Sequence, residues 1–321
     1  MIMSKCEDHK RHHYIPQCYL RQFGHSNGKE KHENFFLYVY NVNKDKQYTQ
    51  STEKVCYRDF FYSISKEYIE GLSDNEIHEL SIEVDFFANC IENNLNIILT
   101  KVENIKKNCF YEHTTFFPIH KNDKYIIAKQ IVIQYLRHPN VREDILSFDD
   151  YVTSKALRLF KYGLSKELNK PDINNIDIQV KRFDSETHAR YSFLNNKLVD
   201  ELATKLSLDN WMFVYSQSNE ICTSDNPVVC LSKSIDNRLI KCELNNNVRL
   251  VIYAISQDLL LLIFDKNSFT CTDFTFGEIT EYCLKMYHEA LFNQSNLIFC
   301  YNNNFDFFKK LNNAKTQITN C

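Results

Sequence analysis

The spacing of apolar positions divides the chain into regions with different predicted structures. Residues 35–42 are aromatic and β-branched, which predicts a strand that can pair with residues 46–52 through a turn at 43–45. From residue 75 to about residue 106, apolar side chains recur at three- to four-residue spacing, and this period indicates a long helix. The same spacing predicts further helices over 124–137, 142–168 and 190–206.

The last third of the chain returns to strand-like patterns. Short apolar runs predict strands, and two amphipathic stretches predict helices over 278–292 and from Phe305 onward. Strands near both termini with helices between them indicate an α+β protein, with a mixed or antiparallel sheet and a helical middle. The terminal regions can share one sheet. The predicted strands of this part are 211–216, 221–223, 228–231, 249–255, 259–264 and 297–301.

Composition and charge narrow the class of protein. Hydrophobic residues make up 44% of the 321 residues and charged residues 25%, as in ordinary globular proteins. We treat residues 1–321 as one domain with a soft boundary near 169–177, where the chain is polar and contains Pro171. The net charge of −3 argues against a broad nucleic-acid surface, although it leaves room for a local basic cleft.

The chain shows no sign of secretion or membrane insertion. Residues 1–11 are polar, and no run approaches the roughly 18 consecutive apolar residues of a membrane span. We therefore expect a cytoplasmic protein without membrane contact. The twelve cysteines are scattered and none forms a CxxC pair, so we expect free thiols that act as small hydrophobes.

Four clusters of polar residues are candidates for chemistry. Each has an ordinary structural explanation: packing of an N-terminal segment, a helix C-terminus complemented by an arginine, a solvated helix face, and a self-capped turn. Walker, GxGxxG, GxSxG and HExxH motifs are absent, so the usual signs of NTPases, Rossmann enzymes, serine hydrolases and zincins are missing. The clusters are His12, His13, Tyr14, Pro16, Tyr19 and Arg21; Gln134, Arg137, His138 and Arg142; Glu70, Glu79, Glu83 and Asp85; and Thr223, Ser224, Asp225, Asn226 and Pro227.

Three of these clusters lie in segments that resemble a known family. Residues 13–23 read His-Tyr-Ile-Pro-Gln-Cys-Tyr-Leu-Arg-Gln-Phe and resemble the HYxPxxYLRxF opening of the bacterial family catalogued as domain of unknown function 4238. Residues 134–139 resemble its QxxRxP segment, and residues 222–228 are similar to its TSDxPV segment. Residues 253–261 resemble its PLSPxxxL segment, with alanine and glutamine in place of the two prolines. The resemblance implies no established activity.

The first functional hypothesis is an enzyme that cleaves nucleic-acid phosphodiesters. His13 would act as general acid or base, and Arg21 and Arg137 would stabilise the charge on the phosphate oxygens. Asp225 would orient His13 or hold a divalent metal such as Mg²⁺ or Mn²⁺ together with Glu83. By analogy, a small bacterial protein of this kind suits a defence or toxin-like role. Substrate contacts would come from His12, Tyr14, Gln134, Ser224 and Asn226.

The second hypothesis is a non-catalytic module that binds a ligand or a protein, including a second copy of the chain. Here His13, Arg21 and Asp225 would form a buried polar network that joins the N-terminal segment to the core, because buried charges must be paired. The negative net charge favours this alternative, whereas the combination of histidine, arginine and aspartate favours the enzyme. An open cleft at these side chains would support the first hypothesis, and a closed network the second.

Overall fold

The architecture is α+β, as predicted. A computed structural model describes residues 10–26, 35–71, 77–193, 196–234, 238–247 and 249–319 of the chain. In chain order the strands are β1 (Arg11–His13), β2 (His25–Ser26), β3 (Phe35–Asn41), β4 (Lys46–Ser51), β5 (Tyr57–Asp59), β6 (Asn210–Tyr215), β7 (Thr223–Ser224), β8 (Val228–Lys233), β9 (Leu239–Lys241), β10 (Leu250–Ser256), β11 (Leu259–Phe264), β12 (Thr275–Glu278) and β13 (Leu297–Cys300).

The helices occupy the middle of the chain and its C-terminal part. In chain order they are α1 (Gln17–Leu20), α2 (Lys66–Glu70), α3 (Asn93–Glu112), α4 (Lys121–Leu136), α5 (Pro139–Glu167), α6 (Asp184–Ser192), α7 (Asn196–Leu208), α8 (Glu281–Gln294) and α9 (Asp306–Thr319). A π-helix, Ser81–Glu92, leads directly into α3, and short 3₁₀ helices lie at Arg21–Phe23, Thr52–Lys54 and Pro171–Asn175.

The main sheet contains six strands in the order β12-β6-β11-β10-β8-β9, with only the β12–β6 pair parallel. Every residue of β10 is buried, so both faces of this sheet are covered. Helices α4 and α8 both pack against β8, and α4 also packs along α7. The sheet thus provides a rigid centre for the segments around it.

A second sheet joins the two ends of the chain, as the sequence pattern suggested. Its order is β2-β3-β13-β7, and β4 pairs with the other edge of β3 through the predicted turn. Strands β3 and β13 are antiparallel, with Val39 opposite Phe299. A separate two-stranded ladder pairs β1 with β5 and sets Arg11 opposite Asp59.

Two predictions about the chain path need correction. The helix expected over 190–206 is two helices, α6 and α7, which lie on either side of residues 193–195. No proline or glycine marks this break in the sequence. The helix expected from residue 75 is π-helical over Ser81–Glu92 before it becomes α-helical, and residues 75–76 lie outside the described residues.

The prediction of free thiols is wrong for Cys222 and Cys300, which form a disulfide. Residues 223 and 224 pair with residues 299 and 298 across β7 and β13, and this register sets the two cysteines opposite each other. Their Cα atoms are 4.5 Å apart. The cysteines are 78 residues apart in sequence, so only the register brings them together. Those described as free are Cys18, Cys56, Cys109, Cys230, Cys242, Cys271 and Cys283.

None of the helices in the described part of the chain is both long and apolar enough to cross a membrane.

Candidate functional site

The N-terminal arm, residues 10–23, is built into the body of the protein. Its backbone pairs with β5, and the Tyr14 amide donates a hydrogen bond to the Cys56 carbonyl at 2.9 Å. Pro16 precedes the single turn of α1, where the buried Tyr19 hydroxyl donates to the Ala254 carbonyl at 2.9 Å. The same hydroxyl lies 2.8 Å from the Thr223 hydroxyl. The arm is therefore held between β7 and β10.

Arg137 forms the centre of the contact between the arm and the helices. It follows the last residue of α4 and is completely buried. Its guanidinium donates to the Glu92 carboxylate at 3.1 Å and to the His13 carbonyl oxygen. The guanidinium carbon lies 3.9 Å from the centre of the Phe87 ring, which is a close cation–π contact. One buried cation thus joins the arm, the π-helix and α4.

Two titratable side chains beside Arg137 have shifted pKa values. Burial raises the pKa of Glu83 to about 7, even though the charge of Arg137 and a hydrogen bond with the His13 backbone oppose that shift. Burial, helped by the positive charge of Arg137, lowers the pKa of His13 to about 4. The lowered pKa of His13 favours its neutral form at neutral pH, and the raised pKa of Glu83 brings that carboxyl close to its titration range.

Three polar atoms around Arg137 are buried without a hydrogen-bond partner: His13 Nε2, Glu83 Oε2 and Arg137 Nε. Such atoms are uncommon in folded proteins, because a buried polar atom without a partner costs free energy. We call His13, Glu83, Glu92 and Arg137 the Arg137 centre.

The π-helix explains how both carboxylates reach Arg137. Glu83 and Glu92 are nine residues apart, which is two and a half turns of an α-helix with about 3.6 residues per turn, so an α-helix would place them on opposite faces. A π-helix has roughly 4.4 residues per turn, and nine residues then amount to about two full turns. Both side chains therefore lie on the face toward Arg137. Glu92 was not among the residues predicted from the sequence.

Three residues predicted to bind substrate connect the arm to the body of the protein. Gln134 donates through Nε2 to the Tyr14 carbonyl at 3.0 Å. The fully buried His12 accepts a hydrogen bond from the Tyr62 amide through Nδ1 at 2.9 Å, and its ring stacks on the Tyr62 ring. The Tyr14 ring packs edge-on against His138. The described contacts of these side chains support the position of the arm.

Asp225 occupies a different place, in the turn between β7 and β8. It is buried, and its Oδ1 accepts hydrogen bonds from the amides of Asn296 and Leu297 at 3.0 and 3.2 Å. Burial raises its pKa to about 6, although these hydrogen bonds oppose the shift. Its charge in turn contributes to the raised pKa values of Tyr14 and Cys56. Asp225 therefore fixes the start of β13 and lies close to the arm.

Ser224 and Asn226, on either side of Asp225, also form hydrogen bonds with residues at the end of α8. Ser224 accepts hydrogen bonds from the Asn226 amide at 3.0 Å and from the Ser295 hydroxyl at 2.7 Å. The Asn226 carbonyl accepts from Gln294 Nε2 at 2.7 Å. Both predicted substrate contacts are thus part of the junction between β7 and the end of α8.

The predicted site residues do not form one cluster. His13, Gln134, Arg137 and Glu83 come together, whereas Arg21 is exposed and lies over the Phe35 ring at 5.6 Å. Glu83 belongs to the Arg137 centre, whereas Asp225 belongs to the turn after β7. Within the described ranges, no group of three or more His, Cys, Asp or Glu side chains is placed to hold a metal ion.

The ladder of β1 and β5 carries exposed cations next to aromatic rings on both of its faces, because successive residues of a strand point to opposite sides. The Arg11 guanidinium lies 5.1 Å from the centre of the Tyr57 ring, and the Lys10 ammonium lies 6.0 Å from that of the half-exposed Phe60. Arg58 is exposed as well. Lys10 also forms an ion pair with Asp59 at 3.0 Å. We call Lys10, Arg11, Tyr57, Arg58 and Phe60 the arm surface.

A family model described as a protein of unknown function, DUF4238, matches residues 11–305. The chain belongs to this family. The structure brings the four DUF4238-like segments into contact, because Tyr19 reaches Thr223 and Ala254 while Gln134 reaches Tyr14. No curated protein and no solved structure gives a significant match.

Proposed function

We propose that this DUF4238 protein is a non-catalytic module that binds single-stranded nucleic acid at the arm surface. The burial of Arg137 is the observation that supports a non-catalytic role. A guanidinium that stabilises a reacting phosphodiester must reach its oxygen atoms. Arg137 is completely buried, and both of its terminal nitrogens donate hydrogen bonds, one to Glu92 and one to the His13 carbonyl. Its role is to hold the arm in place.

The composition of the arm surface supports the choice of ligand. Lysine and arginine side chains neutralise phosphates, and exposed aromatic rings stack on bases. Stacking of this kind requires unpaired bases, which favours single strands over duplexes. Lys10, Arg11 and Arg58 supply the cations, and Phe60, which is 49% exposed, supplies an accessible ring.

Fluorescence anisotropy with labelled single-stranded RNA and DNA tests this proposal. The double variant Arg11→Ala/Arg58→Ala should weaken binding at least about tenfold and reduce its dependence on salt, since two phosphate contacts are lost. Lys285→Ala/Lys310→Ala, which removes two exposed cations from α8 and α9, is the charge-matched control and should bind like the unmodified protein. Absence of binding, or equal loss in the control, would reject the arm surface as the binding site.

Phosphodiester cleavage is a second candidate, and the pKa of Glu83 favours it. A carboxyl group with a pKa of about 7 beside a buried arginine suits general acid–base catalysis at neutral pH. In this version Glu83 transfers the proton, since the lowered pKa of His13 makes its imidazole a weak base, and the three unpartnered atoms of the Arg137 centre face the reacting group. Cleavage of foreign nucleic acid would suit the defence role expected by analogy.

Incubation with single- and double-stranded RNA and DNA, with and without Mg²⁺ or Mn²⁺, separates the two candidates. The binding module should leave all substrates intact. Cleavage that is lost in Glu83→Gln, by a factor of about 10² or more, would favour the enzyme if the melting temperature of the variant is unchanged.

A further inference from the structure

Helix α5 extends away from the rest of the protein. Its 29 residues span roughly 43 Å, given a rise of about 1.5 Å per residue. The first part is anchored through the buried Arg142 and Leu146. Beyond residue 150, the helix is covered on one side only, by the returning segment that contains the 3₁₀ helix Pro171–Asn175. The Asn174 side-chain amide donates a hydrogen bond to the Ser165 hydroxyl, and the Lys161 ammonium donates one to the Ile176 carbonyl, so this segment is bonded to α5.

The uncovered side of α5 carries a stripe of large apolar side chains. Phe148, Val152, Leu159 and Tyr162 are 58%, 42%, 71% and 54% exposed. Together with Lys155 they follow a spacing of four, three, four and three residues. An alternation of four and three is the repeat that places side chains along the seam of two paired helices. We call these five residues the α5 stripe. Contiguous apolar surface of this kind marks a contact with another molecule.

The distribution of charges along α5 indicates what kind of molecule contacts the α5 stripe. The exposed acidic residues Glu143 and Asp144 lie in its first half, whereas Lys155, Arg158 and Lys166 lie in its second half. Two more aspartates of the first half are paired with arginines of the same chain. Complementing the helix dipole accounts for charges in the first and last turns only, and Lys155 and Arg158 lie well inside the helix. A second α5 in antiparallel orientation, centred on the middle of the stripe, would set Asp144 near the start of one helix against Lys166 near the end of the other.

We infer that the α5 stripe is a homodimer interface, in which the α5 helices of two copies pair antiparallel. The contact is isologous, so the same residues serve both copies and the dimer is closed. Gly163, beside the stripe, has no heavy atom within 4 Å of the position a Cβ would take, which leaves space for the partner helix. The interface does not include the arm surface, so it does not depend on the proposed nucleic-acid binding.

Light scattering after size-exclusion chromatography, over a range of concentrations of the full chain, tests the inference. The unmodified protein should be a dimer. Leu159→Glu/Tyr162→Glu should be a monomer, because each charge enters the symmetric contact twice, and we expect the dimer Kd to rise on the order of 10³-fold. Tyr111→Glu is the matched control, since Tyr111 is 91% exposed on α3 outside the α5 stripe, and it should remain dimeric.

A charge exchange tests the orientation. Lys155→Glu/Arg158→Glu/Lys166→Glu replaces the exposed cations of the second half by acidic residues, and Glu143→Lys/Asp144→Lys replaces the exposed acidic pair near the start of the helix by cations. Each variant alone should be monomeric, and an equal mixture should form a heterodimer. A monomeric unmodified protein, or a dimer that survives the Leu159→Glu/Tyr162→Glu substitution, would overturn the inference. A mixture that stays monomeric would also overturn it.

Discussion

Around Arg137 the protein buries a guanidinium, an imidazole and a carboxyl group, whereas along the α5 stripe it exposes two aromatic and two aliphatic side chains. The first group finds most of its partners inside the chain, through Glu92 and the arm carbonyl. The apolar side chains of the second group lie on a face that the described part of the same chain leaves exposed. Buried polar groups and exposed apolar patches are the informative departures from ordinary residue placement. The buried polar groups of the Arg137 centre stabilise the fold, whereas the exposed α5 stripe is the proposed contact with a second molecule.

Removal of Arg137 should have the largest effect in this comparison. Arg137→Ala would leave Glu92 and the His13 carbonyl without their donor and would open a cavity next to Phe87. We expect the free energy of unfolding to fall by roughly 3–5 kcal/mol. Urea unfolding followed by circular dichroism measures the loss. Arg21→Ala is the matched control, because Arg21 is exposed, and a comparable loss there would contradict the distinction between the two arginines.

Asp225 should show a smaller loss that depends on the substituted side chain. Asp225→Ala removes the acceptor of the Asn296 and Leu297 amides, which should lower the free energy of unfolding by about 2–3 kcal/mol. Asp225→Asn keeps an oxygen at that position and should retain most of the stability. Thermal melts of the two variants provide the measurement. Equal losses would show that the charge of Asp225, and not its acceptor oxygen, supports the turn.

The protonation of Glu83 should make stability depend on pH. Because its pKa in the folded protein is raised to about 7, its protonated form is stabilised by folding. This contribution is complete below the ordinary glutamate pKa and is lost as the pH rises through 7. Glu83→Gln should therefore gain about 1–2 kcal/mol relative to the unmodified protein between about pH 5 and pH 7.5. Urea unfolding at both pH values measures this difference.

His13 should contribute a pH dependence of stability that is opposite in sign to that of Glu83. Its pKa is lowered to about 4, so its contribution to stability is complete above the ordinary histidine pKa and is lost as the pH falls through 4. His13→Gln should therefore be less costly at about pH 4 than at neutral pH. If neither the Glu83 nor the His13 variant changes with pH, these two groups are solvated, and the Arg137 centre is open rather than sealed.

Substitution in the α5 stripe should have the smallest effect on folding. Leu159→Ser removes an exposed side chain, so the free energy of unfolding of the monomer should change by no more than about 0.5 kcal/mol. Denaturant unfolding at a concentration well below the dimer Kd measures this value. A loss of several kcal/mol would mean that Leu159 packs within its own chain, and the comparison with Arg137 would then fail.

The helices and long strands were predictable from the sequence because each depends on neighbours along the chain. Burial of neighbouring side chains produces the helical period before residue 137 and the apolar runs of β10 and β11. The structure has a helix and strands at these places. The four family segments were also recognisable without coordinates. The short strands β1 and β5 were not, since two or three residues carry no measurable period and form only through each other.

The sequence by itself determined the α+β class, the helical middle and the family, because periodicity and segment order are properties of the linear chain. Only the tertiary structure decided that Cys222 meets Cys300, that Arg21 stays outside while Arg137 is enclosed, and that Glu92 joins Glu83. The disulfide depends on a strand register and the placement of Glu92 on a helical pitch, whereas the burial of Arg137 depends on the packing of the arm against α4 and the π-helix. A shift of one residue in a strand, or of less than one residue per turn in a helix, changes which side chains meet, and periodicity read along the chain does not resolve so small a difference.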